Sequence, residues 1–449
     1  MTTTVRSLTL AFIAIGLGAC SQPAPLVALS SPEPMSTLKP PSALSGRVSP
    51  MVKQRVNNAI ETRTPVANTA QYGEIKTNPV HMVAQEPVST FSIDVDTGSY
   101  SNTRRFLTDG RLPPSDAVRT EEMINYFPYD YAYQKAQNAP FSVFTEVVDS
   151  PWKSDAKIMA IGIKADDMKM SDLPPANLVF LIDISGSMSG EKLALTKTTL
   201  KILTEQLRPQ DKVSIITYAS GEELVLPATP GANKQKILQV IDRLQAQGAT
   251  AGEQAIQMAY KEAEKHYIKG GINRIMLATD GDFNVGITDF ATLKAMVAEK
   301  RQSGIALSTL GYGVNNYNER LMEQLADAGS GNYSYIDSKQ EANKVVKHQL
   351  SATLTRVASD VKLQVEFNPE LVQEYRLIGY ENRLLAAEDF NNDKVDAGEI
   401  GAGHTVTALY ELTLVGKPGW HDAPRYAPKS PNSAPLGHEY AFLKVRYKP

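Results

Sequence analysis

Residues 176–190 read ANLVFLIDISGSMSG, and this stretch decides the fold. Its first part, 176–182, is a near-continuous apolar run, which is typical of a strand buried on both faces of a parallel sheet. The run ends at Asp183, and Ser185 and Ser187 follow at alternating positions. Because ligands bind beyond the carboxyl ends of strands in open parallel sheets, the stretch predicts a central strand that ends in a cluster of oxygen-bearing side chains.

Downstream of this strand the chain alternates helical and strand patterns up to about Thr353. The helical spacing of EKLALTKTTLKILTEQL stops at Pro209, and further apolar strands read DKVSIITYAS, INRIMLATDG and IALSTLGYG. EELVLPAT is predicted to be a short edge strand, and NYSYID the last strand. Strands separated by helices require right-handed crossovers. We therefore predict an α/β domain over residues 173–353, with a doubly wound, mostly parallel six-stranded sheet.

Two further oxygen groups follow other elements of this domain. Asp280 and Gly281 come directly after the strand pattern at 272–279, and Thr250 opens the helix that begins near Ala251. Each group by itself could be a turn or a helix cap. Their joint placement at the predicted ligand edge of the sheet favours a binding site.

The joint pattern resembles the von Willebrand factor type A domain and its metal-ion-dependent adhesion site. The family's Asp-x-Ser-x-Ser falls on Asp183, Ser185 and Ser187. Its separate threonine falls on Thr250, and its Asp-Gly falls on Asp280. The resemblance implies that the serines bind the ion directly and that the threonine does so in some states. It also implies that the aspartates act mostly through water, and that an acidic group of a partner protein completes the shell.

The chemistry of Mg²⁺ suits this ligand set, with Mn²⁺ or Ca²⁺ as alternatives. Mg²⁺ prefers six oxygens at ~2.1 Å, and uncharged hydroxyl ligands leave its charge open to an incoming carboxylate. Gly186 is expected to permit the tight bend between the serines. The predicted partner-contact rim consists of Met188, Asp282, Phe283 and Asn284. No histidine or lysine has a motif-level position as a general base, so we predict binding without turnover.

The amino terminus carries a predicted secretion signal over residues 1–19. Its apolar run, 8–17, is too short to span a bilayer. The signal ends in LGAC, which resembles the lipobox of bacterial lipoproteins, and Cys20 is the only cysteine in the chain. Ser21 at the next position implies, by resemblance, sorting of the lipid-anchored protein to an outer membrane, facing the periplasm or the cell surface. Residues 20–71 are rich in Pro and Ser at their start and predict a flexible tether.

The segments on both sides of the α/β domain are predicted to be β-rich. Residues 72–172 contain a strand, two helices and the hairpin FSVFTEVVDSPW and AKIMAIGIKA, and residues 354–449 contain the β segments VKLQVEF, TVTALYELTLV and YAFLKVRY. The chain from about Gln85 resembles the YfbK-type bacterial lipoproteins, most closely in FSIDVDTGSYSNTRR, LATDGDFNVG and GYENRLLAAEDFNNDKVDAGEIGAGHTVTALYE. Members of that family continue beyond Pro449. Because neither flank has another apolar surface to pack against, we predict that the two form one discontinuous domain.

Composition and motif spacing disfavour several other classes of protein and kinds of site. The chain has 46 basic and 49 acidic residues, so it lacks the basic footprint of a nucleic-acid-binding protein. One cysteine excludes an internal disulfide, and no histidines have zinc-site spacing. Asp96-Thr97-Gly98 looks like an aspartic-protease motif, but no second copy lies in an apolar run. Residues 389–393 look like the start of a calcium loop, but Lys394 replaces its glycine, so we predict a polar turn.

Function hypotheses from different classes remain. The first is a non-enzymatic envelope lipoprotein that binds an Asp or Glu of a protein partner through its metal ion. The second is an envelope hydrolase that uses Asp94 and Asp96. The third is a structural lipoprotein whose metal only stiffens its loops. Loss of partner capture on substitution of Ser185 would support the first, and turnover that survives EDTA would support the second.

Overall fold

A computed structural model describes residues 6–10, 70–93, 96–132, 139–168, 170–249, 252–281, 290–314, 317–349, 356–395, 397–421 and 439–448. The strands are β1 (Arg6–Leu10), β2 (His81–Met82), β3 (Val88–Ser92), β4 (Phe141–Asp149), β5 (Ala156–Ala165), β6 (Ala176–Asp183), β7 (Lys212–Tyr218), β8 (Glu222–Pro230), β9 (Ile272–Thr279), β10 (Ala306–Gly311), β11 (Tyr333–Tyr335), β12 (Arg356–Phe367), β13 (Val372–Ile378), β14 (Leu384–Leu385), β15 (Gly398–Gly401), β16 (Thr405–Leu414) and β17 (Ala441–Lys448). The α-helices are α1 (Gly98–Thr108), α2 (Thr120–Asn125), α3 (Glu191–Gln206), α4 (Lys234–Arg243), α5 (Gly252–Lys265), α6 (Phe290–Lys300), α7 (Glu319–Ala328) and α8 (Lys339–Lys344).

The α/β part is a sheet of six described strands in the order β11-β10-β9-β6-β7-β8. All neighbouring strands run parallel except β7 and the edge strand β8, which are antiparallel. The predicted doubly wound, mostly parallel sheet is therefore confirmed. The central strand β6 is buried along its whole length because Leu178 and Phe180 enter the core on one face, and Val179 and Leu181 enter it on the other.

Helices cover both faces of this sheet. Apolar side chains of α3, α4 and α8, such as Leu200, Ile237 and Ala342, pack in the core on one face. Side chains of α5, α6 and α7, such as Tyr260 and Val297, pack in the core on the other face. This two-sided cover explains why the inner strands read as continuous apolar runs in the sequence.

The flanking segments form two further sheets that share one core. One has the order β1-β17-β12-β3-β14 with β15 beside β12, and the other has the order β2-β13-β16-β5-β4. Strands from before and after the α/β part are direct neighbours, as in the pairs β3–β12 and β5–β16. Phe91 of one sheet packs edge-on against Tyr410 of the other, with their ring centroids 6.1 Å apart. The predicted β-rich flanks are confirmed, while the boundaries at residues 173 and 353 stay predictions.

Two described segments fall within the predicted signal and tether. Arg6–Leu10 forms β1 and pairs antiparallel with β17. Ala70 packs against the α/β core, and the Gln71 amide donates to the Tyr317 carbonyl at 2.8 Å. The tether predicted for residues 20–71 therefore ends too late, and its earlier part lies outside the described residues. In the part of the chain that the structure describes, we find no helix with the length and apolarity to cross a bilayer.

Candidate metal centre

The four described residues of the predicted ligand set come from two adjacent strand ends. Asp183 closes β6, and Asp280 follows the neighbouring strand β9. Both aspartates are fully buried, at 0% exposure. Ser185 is also buried, Ser187 is half-buried, and their hydroxyl oxygens lie 3.0 Å apart. The structure thus places two carboxylates and two hydroxyls at one edge of the sheet, as the sequence predicts.

The Asp183 carboxylate is held in position by three donors. The Ser185 amide donates to Oδ1 at 2.8 Å, and the Thr279 hydroxyl donates to Oδ2 at 2.7 Å. The Tyr218 hydroxyl donates to Oδ2 over a longer distance of 3.4 Å. Neither Thr279 nor Tyr218 is among the site residues predicted from the sequence. Their only signal is that each is a polar residue that closes an apolar strand beside β6.

The electrostatics of the centre favour a bound cation. Burial, with a smaller contribution from the charge of nearby Asp280, raises the pKa of Asp183 to about 6. Hydrogen bonds from Ser185 and Thr279 act in the opposite direction. Because two buried carboxylates repel each other, a positive charge between them would stabilise both.

A lysine side chain already supplies positive charge at this place. Lys192, in the first turn of α3, donates from Nζ to Oδ2 of Asp280 at 2.8 Å. Lys192 is not among the site residues predicted from the sequence, where the expectation was only that no lysine is placed as a general base. Because its ammonium is ion-paired with a buried carboxylate, we assign it as a counter-charge rather than a general base. The sequence signal was its position in the first helical turn after the Asp-x-Ser-x-Ser loop.

The remaining predicted site residues lie outside the described residues, namely Thr250, Asp282, Phe283 and Asn284. The loop that leads to the threonine is described and lies beside the serines. The Gly186 amide donates to the Gly248 carbonyl at 3.0 Å, and the Ala249 amide donates to the Ser220 hydroxyl at 3.0 Å. This loop therefore approaches the centre from the side predicted for the threonine ligand.

One prediction about the loop after β6 is wrong. Met188 does not belong to the rim, because it is fully buried in the core cluster that includes Ile184 and Leu193. The tight turn at Gly186–Met188 directs its side chain inward. Gly186 begins this tight turn and does so without a left-handed backbone. That conformation occurs at Gly281, with a φ of 79°, where an added Cβ would lie 3.0 Å from the backbone of the chain at Asn318.

The donor set fits a hard cation. Every ligand candidate at the strand ends is a carboxylate or hydroxyl oxygen, which Mg²⁺ and Ca²⁺ prefer. Within the described ranges, no three His, Cys, Asp or Glu side chains form a metal-binding cluster. A centre at this edge therefore depends on the hydroxyls of Ser185 and Ser187 as well as on the two carboxylates.

The alternative catalytic pair is only half described, since Asp94 lies outside the described residues. Asp96 is 5% exposed and lines a cavity of about 220 Å³. Its Oδ1 accepts from the Tyr333 amide at 2.9 Å, and its Oδ2 accepts from Arg383 at 3.5 Å. Asp96 therefore connects the flanking strands to β11 of the α/β part.

The polar turn predicted at residues 389–393 is also present. A short turn spans Ala387–Asn391, and Asp393 accepts from Arg446 at 2.6 Å. The Asp389 carboxylate accepts from the Asn392 side chain at 3.1 Å. These carboxylates bond within the protein, as expected of a turn.

Three family models match successive parts of the chain. Residues 177–349 match the von Willebrand factor type A domain, and residues 66–160 match a model described as von Willebrand factor. Residues 352–449 match a model described as uncharacterized protein YfbK, C-terminal. The α/β part and both flanks are thus each covered by a family model.

Individual relatives extend this similarity. The uncharacterized protein YfbK of Escherichia coli (strain K12) is 50% identical over 395 residues, which cover 86% of this chain and 69% of that protein. Inter-alpha-trypsin inhibitor heavy chain H3 of Mesocricetus auratus is 26% identical over 261 residues, or 54% of this chain and 29% of that one. A solved structure, von Willebrand factor type A from Catenulispora acidiphila, is 16% identical with a TM-score of 0.41, covering 63% of this chain and 67% of that one. The chain belongs to the YfbK family and carries a von Willebrand factor type A domain.

Proposed function

We propose that this protein is a metal-dependent binding module of the cell envelope that works without turnover. Its divalent cation, Mg²⁺ with Mn²⁺ or Ca²⁺ as alternatives, would be held by Asp183, Ser185, Ser187, Thr250 and Asp280. The observation that carries the proposal is the pair of buried aspartates at adjacent strand ends, beside two hydroxyls whose oxygens lie 3.0 Å apart.

The ligand types explain how such a centre would capture a protein partner. Ser185 and Ser187 would bind the ion directly through uncharged oxygens, and Asp183 and Asp280 would act mostly through water. The ion then keeps much of its positive charge toward solvent, where an Asp or Glu of the partner can complete its shell. The half-buried position of Ser187 supports access from outside.

A crosslinking pull-down from intact envelope tests this function. We expect a protein to be captured in Mg²⁺, and capture to fall at least ~10-fold in EDTA or with Ser185→Ala, because one lost ligand costs ~1.4 kcal/mol or more. Ser189→Ala is the matched control, since Ser189 is exposed in the same loop and is not a predicted ligand. Equal capture by wild type and Ser185→Ala, at unchanged melting temperature, would contradict the proposal.

We also propose that Cys20 is the lipid-modified first residue of the mature protein. Each buried CH₂ of an acyl chain adds ~0.8 kcal/mol of membrane affinity. Removal of the signal would also remove β1, so that β17 becomes the edge of its sheet. Mass spectrometry of the membrane fraction should find an acylated amino-terminal peptide, with Ser21→Ala as a control that keeps the anchor. Recovery of Cys20→Ser in the same fraction would speak against lipidation.

The competing envelope hydrolase would use Asp94 and Asp96. The contacts of Asp96 disfavour it, because both of its carboxylate oxygens accept hydrogen bonds from structural partners. Turnover that survives EDTA and is lost in Asp94→Asn would establish the hydrolase. A centre whose sixth ligand comes from this chain would instead support the structural lipoprotein.

A further inference from the structure

A second cavity lies at the opposite end of the α/β sheet from the candidate metal centre. It encloses about 300 Å³ where β9 and β10 begin, next to the β-rich flanks. Residues 271–274 and 304–306 of the α/β part form one wall, and Arg356 and Glu399 of the flanks form another. The cavity therefore joins two parts of the fold that come from distant segments of the chain.

Three arginines from separate elements line this cavity. Arg274 of β9 is only 6% exposed, and its guanidinium donates to the Ser308 hydroxyl. Arg301 directly follows α6 and is half-buried, and its guanidinium lies 3.5 Å from the Ser330 hydroxyl. Arg356 is at the mouth, with its side chain 53% exposed. The guanidinium groups thus extend from the buried floor of the cavity to its opening.

The described lining residues carry more positive than negative charge. Glu399 is the one carboxylate among them, and it pairs with Arg356 at 2.6 Å. Burial lowers the pKa of Arg274 to about 10, with Arg356 acting in the same direction and Glu399 opposing it. Arg274 therefore remains a cation at neutral pH, although desolvation and a like charge both disfavour that state.

We propose that this cavity binds a small oxyanion with two negative charges, of the phosphate class. Guanidinium groups match the oxygens of phosphate through paired, charge-assisted hydrogen bonds. Two negative charges would balance the excess of three guanidinium groups over one carboxylate. The bound anion would also join Arg274 and Arg301 of the α/β part to Arg356 of the flanks.

Thermal unfolding with inorganic phosphate tests the site, with sodium chloride at equal ionic strength as the reference salt. At a hundredfold excess over the dissociation constant, we expect phosphate to raise the Tm by about 2–5 °C. Arg356→Ala should weaken phosphate binding about tenfold, while Arg111→Ala is a matched control because Arg111 is also about half exposed and paired with a carboxylate. Glu399→Gln should tighten phosphate binding, since it removes the opposing charge.

The same measurements separate the proposal from a purely structural ion network. If Arg274, Glu399 and Arg356 only hold the domains together, substitution of any of them changes the Tm. Phosphate and chloride then shift the Tm by the same amount, and the proposal fails. Equal binding of inorganic phosphate by Arg356→Ala and wild type also overturns it.

Glycerol 3-phosphate identifies the source of the phosphate group. Tighter binding than that of inorganic phosphate indicates a phosphate on an organic carrier, and equal or weaker binding indicates the free ion.

Discussion

At the scale of single residues, the contact between Lys192 and Asp280 controls the charge of the candidate metal centre. The ammonium lies 2.8 Å from a carboxylate that is fully buried. A divalent ion and this ammonium would compete for the Asp280 carboxylate. Two positive charges a few ångströms apart repel each other by several kcal/mol at an intermediate effective dielectric constant. Lys192 therefore stabilises the metal-free state and opposes metal binding.

Lys192→Met should tighten Mg²⁺ binding about tenfold and destabilise the metal-free protein by ~1–3 kcal/mol, because the buried Asp280 loses its charged donor. Titration calorimetry measures the first effect, and denaturant unfolding in EDTA measures the second. Lys201→Met is the matched control, since Lys201 lies on the same helix but pairs with Asp242 at the surface. Unchanged Mg²⁺ affinity in Lys192→Met would show that the ammonium does not compete with the ion.

At the scale of elements, α7 connects the candidate metal centre to the flanking domain. Its N-cap residue Asn318 packs against the turn at Gly281. Along the helix, Glu319 and Glu323 bond to Arg119 of the flank at 3.1 and 2.5 Å. One helix thus contacts both the candidate site and a buried ion cluster at the domain junction.

The cluster makes stability depend on pH through Glu323. Burial and the neighbouring Glu319 carboxylate raise the pKa of Glu323 to about 8, while Arg119 opposes the shift. The nearby Asp327 also raises this pKa, and Arg383 lowers it. Since the unfolded value is about 4.3, the folded state holds a proton that the unfolded state has lost. This contribution to stability is complete below about pH 4 and is lost as pH rises toward 8.

The free energy of unfolding of Glu323→Gln minus that of wild type should therefore be ~1–3 kcal/mol larger at pH 8 than at pH 5. Urea unfolding at the two pH values gives this double difference. Glu264→Gln is the surface control, because Glu264 pairs with Lys300 at half-exposed positions. A wild type that gains stability over Glu323→Gln as pH rises would mean that Glu323 is ionised and acts as the partner of Arg119.

At the scale of the whole molecule, the end of the predicted tether is bonded next to the candidate metal centre. Gln71 accepts from the Glu319 amide at 3.1 Å, and its own amide donates to the Tyr317 carbonyl at 2.8 Å. The same segment contains Asn318, whose backbone contacts Gly281. If the anchor is at Cys20, a pull on the tether would act on the segment around Asn318, which contacts the turn at Gly281.

Gln71→Pro removes the amide donor, so we expect a loss of ~1 kcal/mol of stability and a few-fold weaker Mg²⁺ affinity. Gln71→Ala keeps both backbone bonds and should match wild type in both measurements. If Gln71→Pro lowers the Tm but leaves Mg²⁺ affinity unchanged, the segment supports the fold without influencing the centre.

The sequence alone determined the class of the fold and the edge of the sheet that carries the candidate site. Continuous apolar runs such as β6, alternating with helical patterns, are typical of strands between two helical layers, and parallel strands bring their carboxyl ends to one edge. Asp183 and Asp280 were therefore expected at the same edge of the sheet, and the pairing of β6 with β9 makes them neighbours. Helix spacing likewise placed α3 correctly, because periodicity is a local property of the chain.

Only the tertiary structure decided which side chains turn inward and which distant charges meet. In the sequence, Met188 lies in a polar loop, where an exposed side chain is expected. In the structure, the turn at Gly186–Met188 buries this side chain completely. Arg119 and Glu319 are 200 positions apart, so no local pattern indicates their ion pair. Such contacts depend on how two domains pack in three dimensions, and residue order along the chain does not specify that approach.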